Sequence, residues 1–348
     1  MLAVTFADLV FRARQFVLAI AGVGLVLSMA LLLTGLASGF RAEVSGTVTG
    51  VGATRWVLSG AAQGRITAFA AFPELAALVV QREPGVKDAA PLLVVPFQVA
   101  HIGQATTTVN LTGVVMHRLG DPAVVTGHRL QGPDQVVADD RLGVPLGTAV
   151  VLGGRTLHVV GTVSGRSLVG GVPMLYLPLA SAQAITVGGQ PLITAIVTDG
   201  VPTRLPAGLV ARSPLQVINA TVGQLKSAVS SIENTRWLMW MVAAVIVASI
   251  LYVAALERTR DFAVLKALGS SSRSLFGSLI LESVVVTLLA AAIAELLANL
   301  LTPLFAQPID ITPDAYLSLP LIAIIVGAVA SMAALRRVTA SDPAAAFA

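Results

Sequence analysis

The sequence predicts a membrane α-helical protein with four transmembrane helices and a large extracytoplasmic α/β domain on a helical stalk. Three observations carry that prediction. The chain of 348 residues is 55% hydrophobic and only 11% charged, against roughly 25% charged residues in soluble domains. Its uncharged residues concentrate in four runs, each near the 20 residues a helix needs to cross the hydrocarbon core. Between the first and second runs lies a long segment of ordinary globular character, with Gly and Pro between short β-rich stretches.

The first run, Gln15 to Phe40, has 26 residues without a charge between Arg14 and Arg41. Segment 1–14 is then an N-terminal tail and 15–40 the first span. A cleaved signal peptide is the competing reading, but its apolar region is only about 7–15 residues, and Leu36-Ala37-Ser38 is a poor cleavage site. Trp237 to Leu256 (237–256) is the second span, opened by the interfacial aromatics Trp237 and Trp240. Segment 274–302 is the third, apolar apart from Glu282 and Glu295. Segment 315–335 is the fourth, uncharged up to Arg336 and Arg337.

Basic residues orient these spans. Arg12 and Arg14, then Arg258, Arg260, Lys266 and Arg273, then Arg336 and Arg337 flank the runs, whereas the 303–314 loop has no Lys or Arg. The positive-inside rule places both termini (1–14 and 336–348) and the 257–273 loop in the cytoplasm, with 41–236 and 303–314 outside. The net charge of +4 is thereby explained by topology. The basic residues never form a run that would suggest nucleic acid as a partner.

Within 41–236, strands are expected at Gln135–Ala138, Ala149–Leu152, Leu157–Val163 and Leu192–Val197, and a short helix at Pro73–Gln81. The alternation around Leu92–Val99 is interrupted by Pro96. Leu215, Ile218, Val222, Leu225, Val229 and Ile232 recur at steps of three and four, an apolar seam leading into the second span. Leu36, Phe40, Val44, Val48 and Val51 form a second stripe. Stalk helices are therefore expected at about 41–51 and 215–236, packed on each other. The 22 residues from Leu215 to Arg236 would rise roughly 33 Å. The alternative is a single amphipathic helix lying against the outer domain.

Cysteine is absent, which excludes disulfides, thiolate metal sites and cysteine nucleophiles. His101, His117, His128 and His158 lack the spacing of a metal site, so no metal is expected. No G-x-S-x-G elbow and no phosphate-binding G-x-x-x-x-G-K-[ST] run occurs, so no catalytic residue is assigned and the chain is not expected to be an enzyme. Glu282, Glu295 and Asn299 are polar groups within a span, candidates for function by default, with helix packing favoured over a proton path. Gly35 and Gly39 form a G-x-x-x-G suited to close packing.

Between the second and third spans stands Glu257-Arg258-Thr259-Arg260-Asp261-Phe262-Ala263-Val264-Leu265-Lys266-Ala267-Leu268-Gly269-Ser270-Ser271-Ser272. A charged opening leads into an apolar helical face of Phe262, Val264, Leu265 and Leu268, and Gly269 supplies a stop. This segment resembles the signature E-R-x-R-E-F-x-V-L-K-A-L-G-A-S of FtsX-like, or MacB-type, ABC permeases. Asp261 stands in the place of Glu and Ser270 in the place of Ala. The C-terminal Arg336-Arg337-Val338-Thr339-Ala340-Ser341-Asp342-Pro343-Ala344 is similar to that family's basic end followed by D-P-A, and the order of one span, a large outer domain and three spans also matches.

The resemblance implies a permease subunit in a bacterial inner or plasma membrane that couples ATP hydrolysis by a separate ATPase subunit to movement of its outer domain. The ATPase-coupling residues are then Glu257, Arg258, Arg260, Asp261, Phe262, Val264, Leu265, Lys266, Leu268 and Gly269. This chain would carry no cofactor, with ATP and Mg bound by the partner ATPase at the cytoplasmic face. A second permease chain, in a homodimer or heterodimer, is also implied. Resemblance to FtsX itself implies an alternative, a signalling scaffold that activates an extracytoplasmic partner such as a cell-wall hydrolase without transport.

Overall fold

The computed structural model describes residues 13–168, 170–257, 272–305 and 309–340. They divide into two compact units: an α/β unit, Gly39–Ser227, and a helical unit comprising the segments on either side of it in sequence.

The first helix, α1 (Ala13–Thr49), supplies residues to both units without interruption. It does not stop at Phe40, where the uncharged run ends, because burial of its far end outweighs the local charges of Arg41 and Glu43. Phe40, Val44 and Val48 are all buried, and burying each valine stabilises the arrangement by roughly 1.5–3 kcal/mol. The helix ends where Gly50 donates back to the Gly46 carbonyl at 3.0 Å and Gly52 takes φ +73°, a conformation that favours glycine.

The α/β unit is built on a mixed ten-stranded sheet. Its strands are β1 (Arg55–Ser59), β3 (Val86–Ile102), β4 (Ala105–Val114), β5 (Thr126–Gly127), β6 (Gln135–Asp139), β7 (Ala149–Leu152), β8 (Arg155–Val163), β9 (Met174–Pro178), β11 (Ala195–Gly200) and β12 (Leu209–Arg212). The order is β12-β1-β11-β3-β4-β9-β6-β8-β5, and β7 pairs with both β3 and β8. Two pairs are parallel, β4 with β9 and β6 with β8. A short pair, β2 (Phe72–Pro73) and β10 (Leu192–Ile193), stands apart. Helices α2 (Leu75–Gln81), α3 (Leu179–Thr186) and α4 (Pro214–Gly223) complete the unit.

Side chains alternate between the faces of the sheet, as a period of two requires. In β1, Val57 joins a core with Ala77 and Val80 of α2 and Leu179 and Ala182 of α3. Its neighbours Trp56 and Leu58 join the opposite core with Val44 and Val48 of α1 and Val217 and Ile218 of α4. Helices therefore cover both faces. The expected break at Pro96 is a bulge: the β3–β4 register shifts between Val95 and Gln98, and Phe97 takes φ 55°. Proline has no N–H for a ladder, so a bulge is where a long paired strand accommodates it.

The helical unit contains the first part of α1 with α5 (Lys226–Glu257), α6 (Ser272–Leu301) and α7 (Pro313–Ala340). Three segments among the described residues are long and apolar enough to cross a membrane: Ile20–Thr49, Ile280–Leu304 and Pro313–Met332. The expected second span, 237–256, lies within the 32-residue helix α5, which is not among these three. Small residues let the helices approach closely: Ala290, Ala294 and Ala298 of α6 and Ala315, Ala323 and Ala330 of α7 are buried in one core with Val23, Leu27 and Leu31 of α1. Leu296, Leu300, Leu317 and Leu321 of α6 and α7 remain at least 60% exposed, an apolar outer surface suited to lipid.

The 215–236 segment differs from one continuous stalk helix. Residues Gln224 and Leu225 form a turn between α4 and α5, and the Gln224 N–H reaches back to Thr221 and Val222. Gly223 has poor helix propensity, and α4 gains more by packing on the sheet through Val217, Ile218 and Thr221 than by continuing straight. Of the two stripes expected to pack on each other, Leu36 to Val51 and Leu215 to Ile232, Val44, Val48, Val217 and Ile218 share one core with Trp56 and Leu58 of the sheet.

Candidate functional site

The best-defined polar constellation of the α/β unit fastens the end of α1 to the sheet. Glu43 follows the buried Phe40 by one turn and precedes Val44, so it faces the domain and is only 7% exposed. Its carboxylate accepts from the Arg141 guanidinium through Oε1 and from the Gly171 N–H through Oε2 at 3.1 Å. Arg141 sits in the short 3-10 helix Asp140–Leu142, at the end of β6.

Asp139, the last residue of β6, is fully buried and caps that 3-10 helix. Its Oδ1 accepts from the Arg141 backbone N–H and from Arg141 Nε, both at 3.0 Å. Its Oδ2 accepts from Arg141 Nη2 at 3.2 Å and from the Arg166 N–H at 3.0 Å. Burial by itself lowers the pKa of Arg141, but the hydrogen bonds it donates to Asp139 and Glu43, with their negative charge, outweigh it and hold the guanidinium above its ordinary value. Arg141 is thus a permanent cation gripping two carboxylates, one through a two-nitrogen fork.

A second strand of contacts runs alongside. Arg166 Nη1 donates to the Gly46 carbonyl of α1, and Thr47 Oγ1 donates to the Ser167 carbonyl at 2.7 Å. Gly50 leaves room for the Arg166 guanidinium, which a Cβ there would displace. Arg141 thus pairs with both carboxylates, while the Arg166 side chain is held by a backbone carbonyl. Removing one partner from such a buried set typically costs 3–5 kcal/mol. Arg41 Nη2 adds a contact to Asn219 Oδ1 of α4 at 2.8 Å.

None of these residues was singled out from sequence. Asp139 pairs with Arg141, only two residues on, but no sequence pattern marks that pair. The available signal was Glu43, a lone acid inside the apolar stripe of Phe40, Val44 and Val48.

The sequence-predicted residues are placed as follows. Glu257 closes α5, whereas Arg258, Arg260, Asp261, Phe262, Val264, Leu265, Lys266, Leu268 and Gly269 lie outside the described residues. Of the seam, Ile218 is buried, and Val222 packs beside it. Leu215 is 62% exposed. Leu225, Val229 and Ile232 are half-buried, while Lys226, Ser230, Ser231 and Glu233 beside them are exposed.

Glu282 is buried within α6. Asn299 donates to the Glu295 carbonyl at 2.9 Å and accepts from the Tyr316 hydroxyl of α7 at 2.7 Å, a helix-to-helix link. Gly35 admits a loop rather than a helix. A Cβ there would lie 2.6 Å from Ile311 and 2.7 Å from Ile309, and the Gly35 carbonyl accepts from the Asp310 N–H at 2.9 Å.

Comparison with known proteins places these features. Residues 16–204 match the family profile of the MacB-like periplasmic core domain, and 237–343 match the FtsX-like permease C-terminal profile. An ABC transporter permease of Mycobacterium bovis and another of Mycobacterium tuberculosis are each 40% identical over 349 residues, covering 100% of this chain and 99% of the relative. The crystal structure of the periplasmic region of MacB from Actinobacillus actinomycetemcomitans is similar at 17% identity and a TM-score of 0.37, covering 49% of this chain and 93% of that one. With both profiles matched in order and full-length relatives at that identity, the chain belongs to the FtsX/MacB family of ABC transporter permeases.

Proposed function

We propose that this permease spans the cell membrane four times, with both termini and the 257–273 segment in the cytoplasm and the α/β unit outside. In this reading a separate ATPase binds ATP and Mg at the cytoplasmic face and docks on the amphipathic segment of Phe262, Val264, Leu265 and Leu268. Nucleotide-driven movement enters there and leaves through the α/β unit, expelling or extracting a substrate on the outer side. A second permease chain completes the assembly.

The observation that supports this reading most is the treatment of α1. One uninterrupted helix of 37 residues begins in the helical unit and ends under the grip of Glu43, Arg141 and Asp139. A hydrogen-bonded helix fixed at its end by buried valines and charge-assisted bonds resists deformation better than a loop does. It is the kind of element that transmits displacement.

The test is co-purification with an ABC ATPase subunit from the same cell. The parent chain is expected to retain the ATPase, and Leu265→Asp to lose it by placing a charge in the docking face, while the membrane-extracted protein keeps its helix content. Undiminished association of the Leu265→Asp protein would remove the docking assignment.

A further inference from the structure

We propose that the helical unit holds the anionic headgroup of a membrane phospholipid in a cavity built around Arg236. The cavity measures about 240 Å³ and lies among α1, α5 and α7, lined by Leu31, Thr34, Arg236, Trp240, Ser318 and Leu319 among others. Arg236 immediately precedes the uncharged run 237–256, so its charge sits where that run begins.

The chemistry of the lining selects the occupant. Arg236 Nε is buried and has no hydrogen-bond partner, and its Nη1 makes only a long 3.4 Å contact to Thr34 Oγ1. Among the described residues no carboxylate lies within ion-pair distance of this guanidinium. The hydroxyls of Thr34 and Ser318 are spent on their own helices, donating to the Ala30 carbonyl at 2.9 Å and the Ala315 carbonyl at 3.0 Å. They add no donor for an anion and leave the guanidinium fork as the cavity's positive group. A half-buried cation whose Nε is shut off from water among apolar walls is stabilised by a counter-charge, and a planar fork matches phosphate oxygens in pairs.

The remaining features point to lipid rather than a free ion. Leu31, Leu319 and Ile322 give the cavity an apolar floor that an inorganic ion does not use. The volume lies below the roughly 300–1,000 Å³ of pockets that enclose a whole small molecule, so it takes a headgroup whose chains stay in the bilayer. Trp240 stacks under the guanidinium, with the Arg236 carbon 5.3 Å from the ring centroid, and Trp237 meets Trp240 edge-on at 4.9 Å. Tryptophans of this kind mark the headgroup level of a bilayer. The site rests on reading 237–256 as a span and is independent of ATPase docking.

The test uses the purified full chain in non-ionic detergent, with native mass spectrometry counting retained phosphatidylglycerol and phosphatidylcholine. The parent is expected to retain the anionic lipid about tenfold more tightly, the scale of one charge-assisted pair. Arg236→Gln is expected to abolish that preference, and Arg236→Lys to keep part of it. Ser318→Leu, which fills the cavity without touching the guanidinium, is expected to abolish it as well and guards against a fold defect in the arginine variant. Equal retention of the two lipids by the parent, or an undiminished preference in Arg236→Gln and Ser318→Leu, overturns the proposal. Displacement of phosphatidylglycerol by excess inorganic phosphate overturns it in favour of a free-anion site.

Discussion

Tyr176 shows how a single side chain reports on the integrity of the α/β unit. It lies on β9, 5% exposed, in the same core as Val44 and Val48. Burial raises its pKa above the ordinary value of 10.0, and the Asp139 carboxylate pushes it further up while Arg166 pulls it down. Below pH 10 the phenol is protonated whether the chain is folded or not, so it confers no pH dependence. Above pH 10 the unfolded chain releases the proton and the folded chain keeps it, so stability falls with rising pH, by up to about 1.4 kcal/mol per pH unit. The melting temperature of the parent should therefore drop more steeply between pH 10 and 11 than that of Tyr176→Phe. Parallel profiles for the two proteins would mean that the phenol is hydrated. No residue pattern discloses this environment, because Tyr176 is one of several apolar positions in Met174–Pro178, and its neighbours Asp139 and Arg166 come from β6 and from the segment between β8 and β9.

At the scale of elements, the sequence was informative wherever one local rule governed the outcome. The 26-residue uncharged run lies within α1, Pro96 marks the bulge in β3, and 149–152 is β7 with the bounds its composition suggested. It was less informative where two rules competed. Steps of three and four from Leu215 to Ile232 describe one helix, but Gly223 and the pull of the sheet on Val217 and Ile218 divide it. The close packing of α6 and α7 was likewise hidden, because alanines are common in any apolar helix. There the decisive residue is Gly327: a Cβ would lie 2.7 Å from Thr287 Oγ1 and 3.1 Å from Ser283 Oγ, while Ser283 Oγ donates to the Gly327 carbonyl at 2.6 Å. Gly327→Val should force these helices apart and cost about 1–3 kcal/mol by overpacking. Thermal unfolding in detergent checks this, with Gly277→Val as the control, since a Cβ at Gly277 meets nothing within 4 Å. A similar loss in both variants would point to helix propensity rather than to packing.

At the scale of the whole molecule, membrane class and family were readable because they depend on runs, flanking charges and one contiguous motif. The grip on α1 was not readable, since Glu43, Asp139, Arg141 and Arg166 come together only through the sheet. If nucleotide-driven movement reaches the α/β unit through α1, loosening that grip should separate hydrolysis from its output. Glu43→Gln keeps the shape and an acceptor oxygen for Gly171 but removes the charge that Arg141 Nη1 engages, whereas Glu43→Ala removes both contacts. The prediction is that the ATPase still co-purifies and still hydrolyses ATP with either variant. The nucleotide-dependent change in protease sensitivity of the α/β unit, present in the parent, should shrink in Glu43→Gln and vanish in Glu43→Ala. An Arg155→Ala control removes an exposed ion pair with Asp134 at 3.3 Å, of the kind that contributes about 0–1 kcal/mol, and should behave as the parent. If Glu43→Ala and the parent show the same nucleotide-dependent change, force does not travel through the Glu43 contact. If hydrolysis itself collapses in Glu43→Ala, the grip acts on assembly of the permease rather than on transmission.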